Sequence, residues 1–276
     1  MKNPLVSIVI TTKNEENNIL RLLKSTEDQD YKNIEIVVVD NNSSDRTKEI
    51  CKRFTSKVFN KGPERSAQRN FGAQKAKGDY LLFLDADMEL SKNVLGECIR
   101  IFVKDKSIGA VVVPEESVAH NYWEKVKAFE RSFYNFEGDI DTDAARFFSK
   151  DAFNKAGGYD ESITGPEDWD LPEVIVKLGY KQGRAKNIIY HHEKISSPFQ
   201  IAKKKYYYAL KSHKYLKKHN TSVFSPKTIY FLRPVFYKNW KKFVLNPFLA
   251  IGMVLMLTGE LVAGGFGYLV GKYNNY

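Results

Sequence analysis

Four times in the first hundred residues, an unbroken apolar run gives way to a polar turn and then to apolar positions at helical spacing. Leu5 to Ile10 leads into Thr11 to Glu15 and a helical pattern at residues 19, 20, 22 and 23. Ile34 to Val39 ends in Asp40 and the turn-forming Asn41 to Asp45, and Val58-Phe59 precedes a helix running to Ala76. Tyr80 to Leu84 ends in Asp85-Ala86-Asp87 and is followed by an apolar stripe at 94, 95, 98, 99 and 102. Strands joined through helices over such short connections run parallel, with right-handed crossovers. A mostly parallel, doubly wound α/β sheet is predicted.

That architecture dictates where chemistry can sit, because open α/β sheets bind ligands beyond the carboxyl ends of their strands. Glu15, Asp40, Asp85, Asp87 and His191 all fall at predicted strand ends. Carboxylates at i and i+2, as in Asp85 and Asp87, can hold a hard divalent cation that shares its other positions with water and phosphate. A polar loop after a buried strand is the plainer use of the same residues. Lys61 to Asn70 places Arg65 and Arg69 at a helix start, where positive charge and free backbone N–H groups suit a phosphate. Arg65 fits that role better; Arg69 can be a solvated helix residue.

Further along, Ser66 and Ser91 are predicted helix caps and Ile108 to Val113 a strand. A helix from about Asn121 to Phe136 carries Trp123, Val126, Phe129, Phe133 and Phe136 on one stripe, a core pattern. Ala145 to Phe148 reads as a short strand, and Ser149 to Ala156 as a helix ended by Gly157-Gly158. The segment Pro166 to Asp170 leads into a helix with Pro172 in its first turn, and Arg184 to Tyr190 forms a last strand ending in His191-His192. Cys51 and Cys98 fall in helices without metal-ligand spacing and read as free thiols in a reducing compartment. The chain enters a strand within a few residues of its start, which argues against a signal peptide.

Six segments together resemble glycosyltransferase family 2, the nucleotide-sugar glycosyltransferases of GT-A fold. They are Ser7 to Glu15, Val38 to Asp45, Gln68 to Gly72, Phe83 to Asp87, Gly157 to Glu161 and Glu167 to Leu171. The resemblance covers about Leu5 to His192. It implies that Thr11, Glu15 and Asp40 surround the nucleotide base and ribose, that Arg65 meets phosphate, and that Asp85 contacts ribose or metal. Asp87 then ligates Mn²⁺ or Mg²⁺ with a histidine at the end of the last strand, His191 or its neighbour His192. Asp168 is implied as the base that takes the proton of an acceptor hydroxyl, with Glu167 and Trp169 on the acceptor side; the plainer role for Asp168 is a helix N-cap. Val174 stands where relatives often carry arginine, and no Gln-x-x-Arg-Trp follows, so a processive synthase is not expected.

The net charge of +10 is not spread along the chain. Residues 1–200 carry 30 Lys+Arg against 32 Asp+Glu, whereas 201–276 carry 13 against one. Phe199 to His219 interleaves lysines with tyrosines, a composition suited to a helix on an anionic membrane surface, with lysines reaching for headgroups. Nucleic acid is the rival partner, and it is set aside because Phe248 to Val270 follows with Glu260 as its only charge, long enough to cross a bilayer. Gly259, Ala263, Gly267 and Gly271 form a small-residue face that can pair with a second copy of the chain. Glu260 and Gly264-Gly265 allow two short re-entrant helices instead of one span. The lysines before this segment place the catalytic domain on the cytoplasmic side of the cell membrane.

The expected organisation is a catalytic domain over 1–198, basic and aromatic-rich membrane-surface helices over 199–242, and a hydrophobic anchor over 243–276. The expected activity is metal-dependent, inverting, non-processive transfer of a sugar, UDP-sugar donors favoured, to a hydroxyl on a lipid-linked or surface glycan. The near alternative is a polyprenyl-phosphate glycosyltransferase. From other classes come a sugar-nucleotide nucleotidylyltransferase, whose Gly-rich loop Thr11 to Glu15 does not resemble, and an inactive membrane scaffold.

Overall fold

The structure is a computed structural model describing residues 3–135, 138 and 143–274. The chain divides into two compact units, one of Met1–Glu115, Ala144–Glu161 and Asp168–His191, the other of Glu116–Asp143, Ser162–Glu167 and His192–Tyr276.

The first unit begins β1 (Val6–Thr12), α1 (Ile19–Glu27), β2 (Ile34–Asp40), α2 (Thr47–Cys51), β3 (Val58–Asn60), α3 (Arg65–Lys75) and β4 (Tyr80–Asp85). After it come β5 (Met88–Leu90), α4 (Val94–Lys104), β6 (Ile108–Val112) and β7 (Glu115–Ser117), which carries the chain into α5 (Tyr122–Arg131). The chain returns as β8 (Ala145–Ser149), α6 (Lys150–Lys155), α7 (Glu167–Lys177), β9 (Lys181–Arg184) and β10 (Ile189–His191). Seven strands form one sheet in the order β3-β2-β1-β4-β8-β6-β9. Its pairs are parallel except that β8 runs antiparallel to both β4 and β6.

Side chains alternate between the faces of this sheet. Ile8, Ile10, Leu82 and Leu84 face a core shared with Leu22, Leu23 and Phe102, while Val9, Leu81 and Phe83 face a second core with Phe148 and Phe153. Cys51 and Cys98 are buried free thiols, and burial pushes the Cys51 thiol up to about 12.

Several local expectations shift. The predicted strand from Arg184 to Tyr190 is two strands: Arg184 ends β9 in the main sheet, whereas β10 pairs antiparallel with β5. Ser66 lies inside α3, whose N-cap is Glu64, and α4 is preceded by Asn93 while Ser91 Oγ accepts from the Ile188 N–H. Pro172 sits in the second turn of α7 and cannot donate to the Asp168 carbonyl four residues back.

In the second unit Asn121 caps α5 in a reciprocal box with Glu124. The core here joins Val126, Phe129 and Phe133 to Val235, Phe236, Met253, Met256 and Leu257; Phe136 lies outside the described residues. The basic segment forms two helices, α8 (Pro198–Ala209) and α9 (Ser212–Lys218), followed by the short α10 (Pro234–Lys238) and α11 (Lys241–Leu245). The apolar stretch is one continuous helix, α12 (Pro247–Tyr273), so Gly264-Gly265 does not break it into two. It is the one helix among the described residues long and apolar enough to cross a membrane.

Candidate active site

Parallel register brings three polar strand ends side by side. Thr11 stands opposite Asp85 across β1 and β4, and Thr12 opposite Asp40 across β1 and β2. From β1 the order runs through β2 and β3 to one side and through β4 to the other, which makes this edge a topological switch point.

Asp85 accepts a hydrogen bond from Thr11 Oγ1 at 3.0 Å and another, on the same oxygen, from Arg69 Nη2 at 3.1 Å. Arg146 Nη1 lies 3.5 Å and Arg65 Nη1 3.7 Å from the other Asp85 oxygen. Arg69 turns its second terminal nitrogen to Asp168, Nη1 to Oδ1 at 2.5 Å. Arg146 Nη1 is 3.9 Å from Asp168 Oδ2, while its Nε and Nη2 each lie 2.9 Å from Glu115 Oε1. The other Glu115 oxygen is 3.1 Å from His191 Nδ1, and His191 Nε2 is 3.3 Å from Asp87 Oδ2. Charged groups from α3, β4, β8, β10 and α7 are thus joined in one ladder.

Burial decides the electrostatics. The Arg69 side chain has 0% exposure and that of Arg146 only 6%. Desolvation, the largest single influence on Asp85 and Asp168, raises a carboxyl pKa, but Arg69, Arg146 and Arg65 together outweigh it. Asp85 is held well below the usual carboxylate range and Asp168 below it, so both are ionised at neutral pH. Desolvation also disfavours the Arg146 charge, and Glu115, Asp168 and Asp85 reverse that effect.

The Gln68 to Gly72 segment organises this ladder. Gln68 Nε2 donates to the Val39 carbonyl at 2.8 Å, tying α3 to the end of β2. The Arg69 guanidinium lies over the Tyr159 ring, 5.1 Å from its centroid. Asn70 donates to the Tyr159 carbonyl at 2.8 Å and accepts from the Tyr159 N–H at 2.9 Å, clamping the turn that carries that ring. Gly158 in the turn has φ +75°, and a Cβ there would stand 2.7 Å from Asn70 Oδ1. A Cβ on Gly72 would come within 2.3 Å of Val9 Cγ1, so only glycine lets α3 approach β1 this closely.

Of the residues predicted from sequence, Thr11, Arg65, Asp85, Asp87, Asp168 and His191 lie in the ladder. Asp40 and Glu15 are not in it. Asp40 is fully buried and accepts from the Ser43 N–H at 2.7 Å and Ser43 Oγ at 2.5 Å, while Glu15 accepts from Asn18 Nδ2 at 2.7 Å. Glu167 is buried at the first position of α7, Trp169 is half-buried, and His192 is half-buried just after β10. Arg69 corrects the expectation of a solvated helix residue: it is the most enclosed cation of the site. Arg146 and Glu115 are not among the residues predicted from sequence, and Tyr159 appears there only within the Gly157 to Glu161 segment, with no role of its own. Arg146 sits inside the apolar run Ala145 to Phe148 and Glu115 opens β7 just past the apolar run that ends at Val113, and each placement signals a charge that must find partners.

The donor set suits a divalent cation in part. Asp87 and His191 face each other, and the second His191 nitrogen meets a carboxylate, the orientation usual for a metal-bound histidine. Among the described residues no group of three or more His, Cys, Asp and Glu could hold a metal ion, so a cation here would need oxygens from a substrate or water beyond Asp87 and His191.

A family model described as "Glycosyl transferase family 2" matches residues 7–156. Over 102 residues the chain is 33% identical to the GalNAc(5)-diNAcBac-PP-undecaprenol beta-1,3-glucosyltransferase of Campylobacter jejuni, covering 33% of this chain and 32% of that one. The chain spans less than half the length of the first curated relatives it matches, 45% and 32% of them. Among solved structures it resembles a mannosyltransferase of Pyrobaculum calidifontis in complex with GDP-Man and Mn²⁺, with TM-score 0.59 and 17% identity, covering 100% of this chain and 82% of that one. It also resembles residues 1–349 of S. aureus TarS in complex with UDP, with TM-score 0.56 and 15% identity, covering 98% of this chain and 91% of that one. At these identities the likeness establishes the fold, the GT-A arrangement expected from the sequence.

Proposed function

The chain belongs to glycosyl transferase family 2, and we propose that it moves a sugar from a nucleotide-sugar donor, a UDP-sugar in the first instance, to an acceptor hydroxyl with inversion at the anomeric carbon. The observation that carries this reading is the bridge of Arg69 between Asp85 and Asp168 at the switch point of the sheet. One carboxylate then belongs to the donor side and the other to the acceptor side, with their separation set by a single buried fork.

Asp168 takes the acceptor proton. Its Oδ1 is engaged by Arg69 at 2.5 Å, whereas Arg146 stands farther from Oδ2, at 3.9 Å, which supports Oδ2 as the oxygen that receives the proton. The acceptor oxygen bonds to the anomeric carbon as the bond from that carbon to the diphosphate breaks, and the electron pair leaves with the nucleoside diphosphate. Arg65 at the start of α3, its side chain 33% exposed, meets the diphosphate, and Thr11, Glu15 and Asp40 line the nucleoside side. Glu167 and Trp169 belong to the acceptor side.

Asp87 and His191 would hold a divalent cation, Mn²⁺ or Mg²⁺. Such a cation, when bound, supplies positive charge to the departing diphosphate. The ladder itself carries three guanidiniums against four carboxylates, a formal charge of −1 with His191 neutral, so it is suited to accept one. A Mn²⁺-bound neighbour of the same fold supports this assignment.

The acceptor is taken to be a lipid-linked or surface glycan, as the undecaprenol-linked substrate in the name of the Campylobacter jejuni relative suggests. The basic, apolar second unit would hold the enzyme at the cytoplasmic side of the cell membrane. Residues 1–198 form the catalytic part in this reading, with surface helices over 199–242 and the anchor over 243–276.

Thermal-shift titration of nucleotide sugars with and without Mn²⁺ tests the donor assignment. Stabilisation by a UDP-sugar that requires Mn²⁺ and disappears in Asp87→Asn is the expected result. Equal stabilisation of that variant would remove Asp87 from the metal site.

A further inference from the structure

The helix α12 buries one side and bares the other along its whole length. Gly252, Met253, Met256, Leu257, Glu260, Gly267 and Gly271 are its buried positions. The opposite stripe exposes Phe248, Ile251, Leu255, Val262, Phe266 and Leu269, each at least 59% accessible. With exposed Thr258 between Leu255 and Val262, the stripe recurs every three or four positions, so the bare face from Phe248 to Leu269 is continuous for about 32 Å at about 1.5 Å per residue.

The covered side is occupied within the chain. Tyr122 Oη donates to the Phe248 carbonyl at 2.8 Å, and a Cβ on Gly252 would stand 2.5 Å from that hydroxyl and 2.6 Å from Val126. Lys127 Nζ reaches Glu260 at 3.3 Å, so the only acidic side chain after residue 200 is spent on α5. Beyond it, Gly267 packs on the Tyr206 carbonyl and Ala209, and Gly271 packs on the Leu210 carbonyl. The small-residue face predicted to meet a second copy therefore holds α8.

These neighbours set the orientation of α12 toward lipid. The helices α5 and α8 accompany it from Gly252 to Gly271, and they carry the exposed lysines Lys125, Lys203 and Lys204. If α12 crossed a bilayer, these ammonium groups would be drawn to hydrocarbon depth beside it, a costly placement. Flat burial of the bare stripe leaves them in water. Around the stripe the exposed charge is positive: Lys238 and Lys241 precede it among exposed Tyr237 and Trp240, and Lys272 closes it beside Tyr273.

We propose that α12 is a monotopic anchor that lies in the plane of an anionic membrane surface, its Phe248-to-Leu269 stripe in the acyl region, and does not cross the bilayer. This rests on the membrane part of the function proposed above and adds the mode of attachment.

The test uses the full chain, with single cysteines at Val254, Leu261 and Leu269 carrying a fluorophore, added to vesicles of phosphatidylglycerol and phosphatidylcholine. Quenching by lipids brominated at different depths should place all three labels at one shallow depth. Lys238→Cys and Lys272→Cys should both react with an impermeant thiol reagent outside sealed vesicles. Charge reversal of Lys238, Lys241 and Lys272 together should weaken vesicle binding at least about tenfold. A depth profile passing through the bilayer centre, with Lys272→Cys protected, would overturn the in-plane anchor and leave membrane attachment standing. Absence of vesicle binding, or a dimer that hides the labels without lipid, would overturn both.

Discussion

Arg69, with no exposed side-chain surface, donates from Nη1 to Asp168 Oδ1 at 2.5 Å, joining two residues 99 positions apart. The guanidinium is planar, so this bond and the one to Asp85 lie in a single rigid fork. Asp168 therefore has its orientation set by the same group that fixes the first carboxylate of the Asp85-Ala86-Asp87 turn. Tyr159 beneath the guanidinium, edge-on to Phe83 at 5.2 Å, ties the fork to the core.

Replacing Arg69 leaves two half-buried carboxylates without the group that hydrogen-bonds both. Arg69→Met should destabilise the fold by about 3–5 kcal/mol, the range for breaking a buried ion pair from one side. Arg69→Lys keeps the charge and loses the fork; it should fold with a smaller loss, yet transfer sugar poorly because a point charge cannot hold both carboxylates in plane. Denaturant unfolding of both variants, read beside their transfer rates, separates the two effects. Near-wild-type transfer by Arg69→Lys would refute the orienting role.

Acid should act on Asp168 late. Its folded pKa is depressed, so its contribution to stability is fully present above the unfolded value, about 3.9, and is lost as pH falls through the folded value. Unfolding free energy of the wild type should fall on acidification below about pH 4, and Asp168→Asn should show a shallower fall there. The pH profile of kcat/KM should show no acid limb from Asp168 between pH 5 and 8. A limb in that window abolished by Asp168→Asn would contradict the arginine-held carboxylate.

Glu115 links the two halves of the ladder, since one oxygen meets Arg146 and the other His191. Glu115→Gln should weaken Mn²⁺ binding by about 10-fold, toward the lower end of the effect of outer partners on metal affinity. Calorimetric titration of Mn²⁺ into both proteins, with a bound nucleoside diphosphate, measures this. Unchanged affinity would place His191 outside the metal shell.

Asn70 is the clamp on the Gly157-Gly158-Tyr159 turn. Asn70→Ala removes two hydrogen bonds to buried backbone and should cost about 1–3 kcal/mol. The Arg69 fork would loosen with it, so transfer should fall more than donor binding does.

The centre of the sheet was legible in the sequence because β1, β2 and β4 are largely buried parallel strands that read as apolar runs with a polar end. The paired carboxylates stood out as the polar end of β4, Arg65 as a cation at a helix start, and the candidate base only through the family resemblance. The enclosure of Arg69 did not stand out, since the partners that hold it lie 16 and 99 residues away in sequence, and Arg146 shows only as a charge inside an apolar run. Splitting the last strand into β9 and β10 was hidden as well: nothing in Arg184 to Tyr190 marks the change of sheet. The tail showed its composition plainly, but not that α8 would cover the small-residue face of α12. Periodicity gives a face, and only packing says what fills it.

The most direct test compares Asp168→Asn with the wild type in sugar transfer to a hydroxyl acceptor and in donor binding. Loss of a positioned base costs about 10²–10⁴ in rate, so kcat should fall by at least about 100-fold while the donor Kd in the presence of Mn²⁺ changes little. Transfer to a hydroxyl at a wild-type rate by Asp168→Asn would contradict the assignment of the base, and with it the division of the site that Arg69 makes.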